Sequence, residues 1–71
     1  MPYVNIRITR EGASSAQKAA LIEGATELLV RVLGKDPQTT FVIVDEVDTD
    51  AWGIAGDSVA VLRQRAAREQ P

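Results

Sequence analysis

Residues 39–47, Thr39-Thr40-Phe41-Val42-Ile43-Val44-Asp45-Glu46-Val47, form a nearly continuous run of β-branched and aromatic side chains. A run of this kind is typical of a strand buried on both faces, as in a parallel sheet covered by other elements. Upstream, from about Ser15 to Leu33, the residues Leu21, Ala25, Leu28, Leu29 and Val32 recur at three- and four-residue intervals. That spacing predicts a helix with one stripe facing a core and with Lys18, Glu23, Glu27 and Arg31 turned to solvent. Ile22, Val30 and Leu33 widen its apolar surface beyond a single stripe. Ser14 followed by Gln17 matches a capping box at the helix start, and Gly34 is placed to end it. From Pro2 to Thr9, Val4, Ile6 and Ile8 alternate with Tyr3, Asn5, Arg7 and Thr9, the period of a half-buried strand. Strand, helix, strand in this order predicts an α/β fold built on a right-handed β-α-β unit with two parallel strands.

Downstream, Asp48-Thr49-Asp50 is turn chemistry, and Trp52-Gly53-Ile54-Ala55-Gly56 predicts a short hairpin or extended arm. Ser58 is placed to cap a final short helix, VAVLRQRAAREQ, carrying Arg63, Arg65 and Arg68, with the chain end through Pro71 expected to fray. The 71 residues make one domain, 1–71, too small to bury more than about 60% of its unfolded surface. With no cysteine for disulfides and more apolar surface than one helix and two strands can cover, the composition predicts a symmetric assembly in which several chains share a core.

The absence of both cysteine and histidine excludes cysteine nucleophiles, Ser-His-Asp triads and Cys/His zinc sites. A net charge of −2 argues against a nucleic-acid binder that works by phosphate neutralisation. No apolar run reaches the length of a membrane span and no secretory signal opens the chain, so the cytoplasm is the expected location. The carboxylates Asp45, Glu46, Asp48 and Asp50 read as a solvated strand end, because a calcium loop needs a glycine and a terminal glutamate that this spacing lacks. A general base at neutral pH must therefore be a perturbed carboxylate or lysine, or the chain terminus. Met1-Pro2 reads on its own as an ordinary chain start. If the initiator methionine is removed, however, Pro2 presents a secondary amine fixed at the head of a strand, and burial or nearby cations lower its pKa towards neutrality.

Met-Pro ahead of an alternating strand, the segment EG-x-S-x-x-QK-x-x-LI from Glu11 to Ile22, and Trp52-Gly53-Ile54-Ala55-Gly56 after a β-branched strand together resemble the 4-oxalocrotonate tautomerase family. The resemblance spans nearly the whole chain. It implies a β-α-β protomer assembling as a trimer of dimers, with catalysis by the amino-terminal proline and no metal or organic cofactor. Pro2 matches the catalytic proline, and Trp52 matches the aromatic residue that walls the site. Two arginines of the family pattern are missing: Ala13 stands where one binds a substrate carboxylate, and Phe41 stands where another polarises the substrate oxygen. The expected substrate-binding set is accordingly Arg10, the nearest replacement cation, with Trp52 and Phe41. Arg7, Arg63 and Arg65 read as solvated surface charges, and Tyr3 as a packing residue.

The resemblance implies a keto-enol tautomerase acting on a small unsaturated 2-hydroxy or 2-oxo acid, as a homo-hexamer or as one chain of a hetero-hexamer. Two alternatives are a weakly active or inactive structural subunit of a mixed hexamer, and a proline-dependent hydratase or dehalogenase with Glu11 or Asp45 activating water.

Overall fold

The computed structural model describes residues 1–69; the expected fraying through Pro71 lies outside them. Strand β1 is Tyr3–Thr9 and helix α1 is Ser15–Leu33. Strand β2, Phe41–Val47, pairs with β1 in parallel, in a register that sets Tyr3 opposite Phe41 and Thr9 opposite Val47. This is the expected β-α-β unit. Both ends of α1 form as the sequence predicts. The Ser14 hydroxyl accepts the Gln17 N–H at 3.1 Å while Gln17 Oε1 accepts the Ser14 N–H at 2.9 Å. Gly34, in the left-handed region at φ 65°, closes the last turn by donating to the Val30 carbonyl at 3.0 Å.

Strand β2 begins two residues later than its β-branched run suggests, at Phe41 rather than Thr39. Residues Pro37–Thr39 form one 3₁₀ turn. Asp36 explains it, because its side chain accepts the Gln38 N–H at 2.9 Å and its carbonyl accepts the Thr40 hydroxyl at 2.8 Å. Local side-chain bonds of this kind compete with strand pairing.

Further expectations are corrected within the protomer. The α1 stripe is only half covered: Ala25 and Leu29 are half-buried, but Leu28 is 47% and Val32 65% exposed. Nor is β2 buried on both faces, since Phe41 and Ile43 lie 50% and 46% exposed on the side away from α1. The cause is width. Two strands about 4.8 Å apart cannot cover a helix that is apolar around more than one stripe, and one helix covers only one side of a sheet. Lys18, expected in solvent, is half-buried and reaches Glu46 at 3.2 Å. Glu46 also lies 3.7 Å from Arg10, so the acidic strand end is tied to cations rather than simply solvated.

Beyond β2, a 3₁₀ turn over Thr49–Ala51 leads to the expected hairpin, strands β3 (Gly53–Ile54) and β4 (Asp57–Ser58), and then to helix α2, Val59–Glu69. Ala55 and Gly56, at φ 54° and 91°, form the hairpin turn, and the Ser58 hydroxyl accepts the Val61 N–H at 3.2 Å. Val59 N–H donates to the Trp52 carbonyl at 2.8 Å, and Val59 is the one buried hydrophobic residue among those described, 8% exposed. The arm makes the protomer long, 52 × 25 × 17 Å with a radius of gyration of 16.5 Å. A self-contained domain of this length has a radius of about 11 Å. Among the described residues, no helix is long and apolar enough to cross a membrane.

Candidate active site

Register decides which of the expected site residues meet. Pro2 precedes β1, is half-buried, and its carbonyl accepts the Phe41 N–H at 3.0 Å. Pro2 and Phe41 are thus held together at the amino-terminal edge of the sheet by a main-chain bond that needs no side chain. Met1, one residue further out, is 86% exposed.

Trp52 and Arg10 lie at the other end. Strand β1 has seven residues, which at 3.3 Å each separate the two sheet edges by about 23 Å. Arg10 continues the ladder through its N–H to the Val47 carbonyl at 2.8 Å. Its guanidinium is engaged by Asp48 at 2.8 Å and by the Glu46 carbonyl at 3.4 Å, so the expected substrate cation is occupied by its own chain. Within one protomer, therefore, Pro2 and Phe41 form one half of the expected set, and Arg10 and Trp52 lie in the other half.

An open cleft of about 770 Å³ lies at the Trp52 end. Ile8, Trp52, Ile54 and Val59 supply its apolar wall, and Thr9, Glu11 and Arg63 its polar side. Ala13 lines it as well, leaving that part of the wall without charge. Arg63 crosses from α2 to form an ion pair with the Glu11 carboxylate, and the Thr9 hydroxyl donates to the same carboxylate. These bonds hold the Glu11 carboxyl below its usual pKa, the Arg63 hydrogen bond being the largest cause, and the same contact raises that of Arg63. Asp45, on the open face of the sheet, accepts from Asn5 Nδ2 at 2.7 Å and lies 3.6 Å from Arg7.

Arg7 and Arg63 are exposed, as their reading as surface charges expects, and both also line this open cleft. For Arg63 a signal was available. It stands four residues after Val59, so the helical repeat sets it on the same side as the one buried anchor of α2. Thr9 gave no such signal, because alternation alone places it on the polar side of a strand.

The family model described as "Tautomerase enzyme" matches residues 2–62. The chain is 60% identical over 67 residues to a Dickeya dadantii protein named probable tautomerase K2, covering 94% of this chain and all of the relative. It is 39% identical over 62 residues to a 2-hydroxymuconate tautomerase of Pseudomonas putida, covering 87% of this chain and 97% of that protein. The crystal structure of DmpI from Helicobacter pylori superposes with a TM-score of 0.82 at 45% identity, over 89% of this chain and 97% of the other.

Proposed function

The chain belongs to the tautomerase family and is an isomerase of that kind, and from this premise we propose that it ketonises a small unsaturated 2-hydroxy acid with Pro2 as general base. The observation that carries the reading is the anchoring of Pro2 at the sheet edge by the Phe41 N–H. Once Met1 is removed, Pro2 nitrogen is a secondary amine with no rotatable side chain to order. A secondary amine is more basic than an ordinary α-amino group, so burial or neighbouring cations must lower its pKa for it to be unprotonated at neutral pH.

In the reaction, the Pro2 nitrogen lone pair takes the enol hydroxyl proton. The O–H electrons form the carbonyl, the conjugated double bonds shift along the chain, and the distal carbon takes a proton from the prolinium. Atoms and electrons balance without an oxidant or co-reactant, and the amine is regenerated. Phe41 flanks Pro2 as an apolar wall, Trp52 stacks on the conjugated chain, and Arg10 offers a cation if a substrate carboxylate exchanges for Asp48.

With the two sheet edges about 23 Å apart, these groups complete one site only across protomers, the Pro2 edge of one chain facing the Trp52 end of another. Twelve large hydrophobic side chains exposed among the described residues supply the surface for such packing. A hexamer arranged as a trimer of dimers is the assembly we assign.

The test is the rate of 2-hydroxymuconate ketonisation, followed by ultraviolet absorbance, on protein whose intact mass shows loss of Met1. Pro2→Ala is expected to lower kcat at least about 10²-fold, the scale of a positioned acid-base group. Protein that retains Met1 is expected to be inactive, because its Pro2 nitrogen is an amide. Absence of turnover in processed, assembled protein sinks the proposal and turns attention to a subunit that works only with a second polypeptide.

A further inference from the structure

Glu11 sits in the Trp52 cleft with a separate donor for each carboxylate oxygen. Arg63 reaches Oε1 from α2, and the Thr9 hydroxyl, at the last residue of β1, donates to Oε2. A guanidinium and a hydroxyl converging on the two oxygens of one carboxylate is a donor set that recognises a carboxylic acid. The seat borders an apolar wall that includes Ile8, Trp52 and Ile54, suited to the flat hydrocarbon part of a conjugated acid.

Charge favours an anionic visitor. Among the side chains that line the cleft, Arg7 and Arg63 stand against Glu11 alone, in a chain whose net charge is −2. With Glu11 displaced, Arg63 loses its carboxylate partner, while Arg7 keeps Asp45 at 3.6 Å. The Glu11 pair lies at the surface, the side chains of Arg63 and Glu11 being 57% and 46% exposed. Ion pairs this exposed contribute little, so an incoming carboxylate meets only a small cost in replacing one.

We propose that Arg63 and Thr9 form a carboxylate seat for an unsaturated acid whose conjugated chain lies on Trp52, and that Glu11 fills this seat until the acid displaces it. The assignment rests on the tautomerase reading for its ligand class, but not on Pro2 being the base. It adds a substrate-binding residue, Arg63, on the cleft wall that Ala13 leaves uncharged, and a built-in competitor, Glu11.

Trp52 is the only tryptophan in the chain, so its fluorescence reports on the cleft. The probe is cis,cis-muconate, a conjugated dicarboxylate with no enol hydroxyl to ketonise, titrated into the full-length protein and into Arg63→Gln, Arg63→Lys and Glu11→Gln. Arg63→Gln is expected to raise Kd about tenfold or more, as loss of a charged hydrogen bond does, and Arg63→Lys to raise it less. Glu11→Gln is expected to lower Kd about two- to fivefold, the scale of an exposed ion pair. Neutral dimethyl muconate controls for general damage, and its binding is expected to be indifferent to all three changes.

A muconate Kd unchanged in Arg63→Gln, an equal change for the ester, or absence of muconate binding to the unaltered protein overturns the proposal. Should Arg63→Gln fail to assemble, Glu11→Gln decides, and unchanged or weaker binding there overturns it too. The two readings fail separately. Muconate binding through Arg63 without 2-hydroxymuconate turnover keeps the seat and removes the Pro2 chemistry. Turnover through Pro2 with binding indifferent to Arg63 does the reverse.

Discussion

Glu11 titrates below its usual range because Arg63 and Thr9 bond its charged form. A carboxyl depressed in the folded state adds stability at pH values above its unfolded pKa, and that stability is lost as the pH falls through the folded pKa. A small difference in melting temperature between the unaltered protein and Glu11→Gln, on the scale of an exposed ion pair, is therefore expected at pH 7 and is expected to vanish well below pH 4, about the unfolded value of a glutamate. A difference that persists in acid would assign the effect to packing instead. Pro2 illustrates the opposite case, a residue whose role does not depend on side-chain contacts. Its position follows from a main-chain bond to Phe41, and the base role we propose for it requires loss of Met1.

Elements in this chain are governed by short-range signals, and the hairpin shows how far these go. Its turn uses Ala55 and Gly56, both at positive φ, the geometry of a tight turn that follows the right-handed twist of its strands. Gly56 adopts this conformation freely, but an alanine Cβ crowds the backbone there. Ala55→Asn, which installs the favoured Asn-Gly pair, is expected to stabilise the protein by about 0.5–1 kcal/mol, read as a rise in melting temperature at fixed protein concentration. In α1 the Ser14 and Gln17 pair is visible in the sequence and present in the structure, and Ser14→Ala is expected to cost about 1 kcal/mol by the same measurement. The start of β2 was less legible, since the β-branched Thr39 and Thr40 suggest strand while Asp36 recruits their hydroxyls into a turn. Propensity describes the residue alone, whereas the competing acceptor lies three or four positions away.

The molecule as a whole is an open structure with one buried hydrophobic residue and twelve large exposed ones among those described. Folding is expected to be coupled to association, so the melting temperature should rise with protein concentration. A charge placed in the uncovered apolar surface tests this directly. Ile43→Asp, on the open face of the sheet, is expected to shift the sedimentation profile to smaller species with loss of helical circular dichroism. A stable, folded monomer would contradict the shared-core account. The Arg63 to Glu11 link between α2 and the loop after β1 adds a polar tie to this scaffold.

The sequence by itself determined the β-α-β order, the parallel pairing, both ends of α1, the hairpin and the helix that follows it. Each depends on periodicity, caps or turns acting over a few residues, which a linear chain displays openly. It also singled out Pro2 as the candidate base, through the resemblance to the tautomerase family rather than through composition alone. Only the tertiary structure decided that Pro2 and Trp52 belong to opposite ends of the protomer, that Arg10 is already bound by Asp48, and that Arg63 meets Thr9 and Glu11 across the cleft. These are relations between residues far apart in the chain, set by strand register and by where the arm lies against the sheet. No local pattern encodes such distances, because they arise only when separate elements pack.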